Sequence, residues 1–202
     1  MNKRGLATKK FIKEKAYQLF AAKGFKEVTM TDICEVTGLS RGGLYCHYEN
    51  TNKIFKEIID DLMNYQDEEF SSKIKEGLSA TKILDDVLER YKNEMIDSDA
   101  SLSIAIYEYY SSREITSEEN ALYDQYIFSS DMWKKLIEYG INKEEFNKVD
   151  IEAIFDLIVF SYQGVRMYSK LMPIDEKTPK RIIQEIRKLL VRGRNNHDNN
   201  IS

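Results

Sequence analysis

The stretch that most constrains this chain runs from Val28 to Phe55, VTMTDICEVTGLSRGGLYCHYENTNKIF. It carries the start and stop signals of two short helices in immediate succession. Thr29, followed three residues later by Asp32, is a capping pattern whose side chains satisfy free N–H groups at a helix start. Ile33 and Val36 give that helix a short apolar face. Gly38 stops it, because glycine tolerates the left-handed conformation common at a helix C-terminus. Leu39 follows, and Ser40 can cap a second helix opening at Arg41. There Leu44 and Tyr48 face inward, which leaves Arg41, Gly42, Tyr45 and His47 on or beside the outer face. Two helices joined by a short glycine-containing turn form the helix-turn-helix, whose second helix enters the DNA major groove. Gly42 and Gly43 each cost a helix about 1 kcal/mol relative to alanine. That cost points to packing behind this helix and a close approach in front of it. The glycines could otherwise mark only a loose turn.

Thr29, Asp32, Ile33, Gly38, Leu39, Ser40, Arg41, Gly42, Leu44, Tyr45, His47 and Tyr48 all stand in the register of one known pattern. Residues 8 to 58 resemble the DNA-binding module of the TetR family of bacterial repressors. The resemblance implies that Arg41 reaches base edges, with guanine O6 and N7 as its best partners. It implies that the backbone at Gly42 and Gly43 approaches the duplex closely. Ser40, Tyr45 and His47 would hydrogen-bond phosphates, as would Thr29 or Thr31 at the dipole-positive start of the first of the two helices. His47 has a second reading as a half-buried ring bonded to a local carbonyl, and Tyr45 a second reading as packing. The turn after the motif departs from the pattern. Thr51 stands where many members carry a phosphate-binding lysine, Lys53 can substitute, and Glu49 adds a negative charge.

Composition narrows the classes. Hydrophobic residues at 42% and charged residues at 32% suit a soluble globular protein. Residues 1 to 60 hold 11 Lys and Arg against 7 Asp and Glu, while the remainder holds 19 against 27. A basic end on an acidic body is the footprint expected of a phosphate-binding region. Cys34 and Cys46 lack metal-ligand spacing, and they read as a buried reduced thiol and a rim thiol. No metal or cofactor is expected. Met1 to Lys10 lacks the apolar core of a signal peptide, and the longest apolar run, Ile154 to Val165, is broken by Asp156 and Gln163. The expectation is a cytoplasmic protein that does not enter a membrane. GxGxxG, P-loop, HExxH and GxSxG patterns are absent, so no enzymatic reading finds support.

Beyond the motif, apolar periodicity predicts an all-α chain of about nine helices. A helix-turn-helix domain over 1–50 is joined by a long helix to a ligand-binding and dimerisation body over 51–193, with a disordered tail over 194–202. The first helix runs from about Thr8 to Lys23, behind a polar arm, on the stripe Ile12, Ala16, Leu19 and Phe20. The long helix covers about Thr51 to Glu76, and as a single rod it would act as a lever. Later helices cover about 81–96, 100–112, 117–139 (ended by Gly140) and 150–171, and a last one opens with Thr178 as cap and Pro179 at its first position.

The helix over 150–171 carries two apolar stripes, which requires burial on more than one side. One stripe includes Ile154, Phe155, Ile158, Tyr162 and Val165; the other holds Leu157, Phe160, Gly164 and Tyr168. With the stripe of the last helix, this suits an intermolecular four-helix bundle, and the resemblance implies the same. Ile158, Gly164, Val165 and Tyr168, with Ile182, Ile186 and Leu189, are the expected homodimer interface. Tyr91, Met95, Tyr107 and Tyr110 on the middle helices are candidates for a ligand pocket. Tyr126, Ser130, Trp133, Phe155 and Tyr162 complete the candidate lining, though aromatic stripes of this kind also build ordinary cores. Glu94, Glu108 and Asp131 could draw a cation over the rings. The expected function is a ligand-responsive repressor, released from a palindromic double-stranded DNA operator by a small apolar or aromatic effector. The alternative is a helical ligand- or protein-binding module without specific operator binding.

Overall fold

The computed structural model describes residues 3–64, 69–97, 99–111 and 120–193. Its named elements are all α-helices: α1 Lys3–Lys23, α2 Met30–Thr37, α3 Arg41–Tyr45, α4 Thr51–Asn64, α5 Glu69–Lys75, α6 Ala80–Ile96, α7 Ser103–Ser111, α8 Ala121–Asn142, α9 Ile151–Tyr168 and α10 Lys177–Leu190. The one strand-like pairing among the described residues is an isolated bridge between Phe146 and Val191. The middle of the expected long helix, 65–68, lies outside the described residues, as does the expected disordered tail. No described helix is long and apolar enough to cross a membrane.

The chain divides into two compact units: Met1–Asp67 with Asp97–Gln125, and Glu68–Ile96 with Tyr126–Ser202. In the first unit α1 starts at Lys3 rather than Thr8. The Thr8 hydroxyl donates to the Arg4 carbonyl at 3.0 Å, a bond made inside a helix rather than at its cap. Residues expected to form a polar arm therefore extend the helix. Ile12, Ala16 and Phe20 of α1, Ile33 of α2, Leu44 of α3 and Ile54, Phe55, Ile58 and Ile59 of α4 close one core. On α2 the inward face is Met30, Ile33 and Cys34, at helical spacing. Val36 was expected there, but it is 40% exposed. Cys34 is half-buried rather than enclosed.

The same core takes Leu102, Ala105 and Tyr109 from α7 and the preceding turn, a segment expected in the body. Tyr109 meets Phe25 edge-on at 5.0 Å and Phe55 at 5.1 Å. Glu108, beside it on α7, accepts the Phe25 N–H at 2.7 Å and the Lys26 N–H at 3.0 Å. These amides follow Gly24, whose φ of 82° turns the chain out of α1.

The second unit packs Phe70 with Ile83, Leu84, Val87 and Leu88 of α6. Trp133, Leu136 and Ile137 of α8 join them, with Ile154, Phe155 and Ile158 of α9 and Ile186 and Leu190 of α10. Gly140 does not end α8, which runs on to Asn142. A side chain at Gly140 would sit 2.2 Å from the Phe146 ring, so the glycine makes room for that ring in the core. α10 likewise opens one residue before Thr178. The N-cap position is Glu176, which makes no side-chain cap bond, and Asp175 before it accepts the Thr178 N–H at 3.1 Å.

Candidate nucleic-acid interface

The interface is built from caps. Thr29 caps α2: its Oγ1 accepts the Asp32 N–H at 3.2 Å, and Asp32 Oδ2 accepts the Thr29 N–H at 2.8 Å. The Thr29 hydroxyl proton also goes to Asp32. Lys23 reaches the other carboxylate oxygen at 2.7 Å. The Lys23 hydrogen bond, with those of Thr29, holds the Asp32 carboxyl well below the usual carboxylate range. Gly38 closes α2 in the left-handed region, at φ 68°. Ser40 then caps α3 by accepting the Gly43 N–H at 3.1 Å.

α3 is anchored from behind. Leu44 is fully buried, and Tyr48 just after it is 2% exposed. The Tyr48 hydroxyl donates to Glu57 at 2.8 Å, and Lys9 holds the same carboxylate at 2.7 Å. Burial, with Glu57 beside it, pushes the Tyr48 phenol far up. The outer side of α3 is left open. Thr31, Ser40, Arg41, Gly42, Tyr45 and Lys53 are exposed, with Tyr45 at 53%; Gly43 and His47 are half-buried.

The two glycines differ. A side chain at Gly43 would stand 3.2 Å from the Ser40 hydroxyl, so the cap requires a small residue there. A side chain at Gly42 would meet nothing within 4 Å. The chain's own packing does not ask for glycine at Gly42, which leaves its surface flat for something outside. The threonines differ too. Thr29 spends its hydroxyl proton on Asp32, whereas Thr31 Oγ1 accepts from Arg41 Nη2 at 3.2 Å and keeps its proton to donate. Arg41 thus rests on a hydroxyl rather than an acid. Lys9, Lys13 and Lys23 are matched to Glu57, Asp61 and Asp32, so the net positive count of residues 1 to 60 overstates the free charge. Asn50 caps α4 by accepting the Lys53 N–H at 3.0 Å.

The residues expected in a ligand pocket are divided between the two units. Tyr107 is 60% exposed on α7, and Tyr110 stacks edge-on with Tyr109, both in the first unit. Glu108 is spent on backbone amides there. In the second unit Tyr91 and Tyr162 lie 4.4 Å apart, Tyr126 packs on Phe155 at 5.1 Å, and Ser130 is half-buried. Met95, Trp133 and Phe155 are at most 2% exposed. Tyr162 donates to Glu94 and accepts from Arg166, whose Nε is buried without a hydrogen-bond partner among the described residues. Tyr126 donates to Asp156 at 2.5 Å. Arg166 and Asp156 were missed because their spacing carries no signal; only the polar breaks they make in an apolar helix hint at them.

Among the residues expected at a dimer interface, Ile158, Val165 and Ile186 are buried in the chain itself, and Ile182 is half-buried. Tyr168 and Leu189 are open at 54% and 48%, with Leu157 and Phe160 at 49% and 63%. A side chain at Gly164 would meet nothing within 4 Å. The second stripe of α9 is thus the uncovered one. Among the described residues no three His, Cys, Asp or Glu side chains are placed to hold a metal ion.

Residues 12–58 match a family model described as bacterial regulatory proteins, tetR family. Over 139 residues the chain is 27% identical to an uncharacterised HTH-type transcriptional regulator, YfiR, of Bacillus subtilis, covering 68% of this chain and 67% of that protein. Over 143 residues it is 24% identical to the HTH-type transcriptional repressor KstR2 of Rhodococcus jostii, covering 69% of each. Its fold matches that of a TetR-family transcriptional regulator from Agrobacterium tumefaciens with a TM-score of 0.74 and 12% identity, over 93% of this chain and all of the other.

Proposed function

We propose that this chain, which belongs to the tetR family of bacterial regulatory proteins, acts in the cytoplasm as a dimeric repressor that a small molecule releases from DNA. The observation that carries the reading is the outer side of α3. Arg41, Gly42 and Tyr45 stand open on a helix whose other side is locked into a core through Leu44, with Tyr48 following. Arg41 presents a planar fork of donors suited to guanine. Thr31 and Ser40, each with a hydroxyl proton to give, flank it for phosphates, with Tyr45, His47 and Lys53 further out. The flat surface at Gly42 admits the duplex backbone or base edges.

A two-fold dimer through the uncovered stripe of α9 and the Leu189 side of α10 would present two such helices to a palindromic operator. The effector would bind in the second unit against the Tyr91 and Tyr162 rings, where Glu94 and Arg166 both hydrogen-bond the Tyr162 hydroxyl. It would favour a dimer state whose recognition helices are wrongly spaced for DNA, so affinity falls by population shift. The relative in Rhodococcus jostii is named a repressor, which supports this sign of control.

The test is fluorescence anisotropy with an operator selected from random duplex DNA. Arg41→Ala is expected to weaken binding by about 1–3 kcal/mol and to relax base preference at its contact position. The salt dependence should stay steep, because the phosphate contacts remain. Unchanged affinity and base preference would remove α3 as the reading helix.

A further inference from the structure

The first unit contains a cavity of about 730 Å³, widely open to solvent, that the DNA-reading surface does not use. Tyr17 and Ala21 of α1, with Ile58 and Leu62 of α4, make its apolar floor. Leu62 is 43% exposed, an unusual state for a leucine facing its own fold. Tyr17 lines the cavity, and its hydroxyl donates to the Ala100 carbonyl at 2.7 Å.

The rim is acidic: Glu14, Asp61, Asp97 and Asp99 line it, against one cation, Lys13. Lys13 is already engaged by Asp61 and lies 4.0 Å from Glu57. Glu14 has Lys10 at 3.9 Å. Asp97 gives one oxygen to the Ala100 N–H at 3.3 Å and has no cation paired with it among the described residues, and neither has Asp99. An apolar floor, an aromatic ring and two uncompensated carboxylates form the chemistry that takes up a positively charged apolar molecule.

We infer that this cavity binds a hydrophobic monocation, such as an aryl- or alkyl-substituted amine or quaternary ion. The site lies wholly within the unit that carries α3, and the inference does not depend on an effector site in the second unit. The apolar body of the ligand covers Leu62 and Ile58, while its charge lies between Asp97 and Asp99 against the Tyr17 ring.

Equilibrium dialysis of the full chain against tetraphenylphosphonium, with tetraphenylborate as a probe of the same shape and opposite charge, tests this. The cation is expected to saturate at one per chain and the anion to show no saturable binding. Removing both uncompensated charges in the double variant Asp97→Asn, Asp99→Asn keeps side chains of the same size and should weaken the cation about tenfold. Leu62→Arg, at an exposed position that folding tolerates, should abolish it. Equal binding of the two probes would overturn the inference. So would cation binding left unchanged by both variants, since it would place the cation elsewhere.

Discussion

Gly24 and Glu108 should behave as one unit when mutated. Glu108 accepts two backbone N–H groups, from Phe25 at 2.7 Å and Lys26 at 3.0 Å. Glu108→Ala removes both acceptors. Water can replace one at the exposed Lys26 amide, but not fully at the part-buried Phe25 amide, so the loss is about 2 kcal/mol. Gly24→Ala brings two penalties. The residue sits at φ 82°, where a side chain costs about 1 kcal/mol. Its new carbon would also stand 2.7 Å from Glu108 Oε2. The carboxylate can relieve that clash only by leaving the two amides, so Gly24→Ala should cost about 3 kcal/mol. Adding Glu108→Ala on top should then cost almost nothing, giving a coupling of about 2 kcal/mol between the sites. Urea unfolding followed by circular dichroism measures the cycle, and hydrogen exchange at the Phe25 amide reports the joint directly. Costs that add to within about 0.5 kcal/mol would refute the shared-carboxylate argument.

Gly140→Ala should destabilise the second unit by about 3 kcal/mol, because a side chain there meets the Phe146 ring at 2.2 Å; the Trp133 fluorescence melt checks it, and Phe146→Leu should recover part of the loss. Burial raises the Glu57 carboxyl, but hydrogen bonds from Lys9 and Tyr48, with Lys13 nearby, outweigh it and leave the group below its ordinary value. A depressed folded value gives stability present above the unfolded carboxylate's pKa of about 4.3 and lost as pH falls through the folded one. The stability gap between wild type and Glu57→Gln should therefore shrink below about pH 4, and a gap constant with pH would exclude this origin. Phe160→Glu, at a position 63% exposed, should leave the chain folded but monomeric by light scattering; a retained dimer mass would take the α9 stripe out of the interface.

The helix-turn-helix was legible because its signals are local. Thr29 and Asp32, or Ser40 and Gly43, satisfy each other across three residues, and Gly38 needs only its own φ. Such interactions follow from chain geometry before any tertiary contact forms. The two stripes of α9 were equally readable, since helical periodicity sorts residues by face. Which stripe the chain covers itself was not, and Ile158 and Val165 proved to be inside while Leu157 and Phe160 stayed open. Tertiary structure alone decided that α7 belongs with the unit that carries α3, through contacts such as Phe25 to Glu108 between residues 83 apart in the chain. It also turned Gly140 from a helix stop into room for Phe146, and set Tyr107 and Tyr110 in a different unit from Tyr91 and Tyr162. Periodicity tells a side chain to be buried without saying against what. Local pattern therefore specified each helix and its caps, and the choice of partners rested on which apolar faces could fill one another.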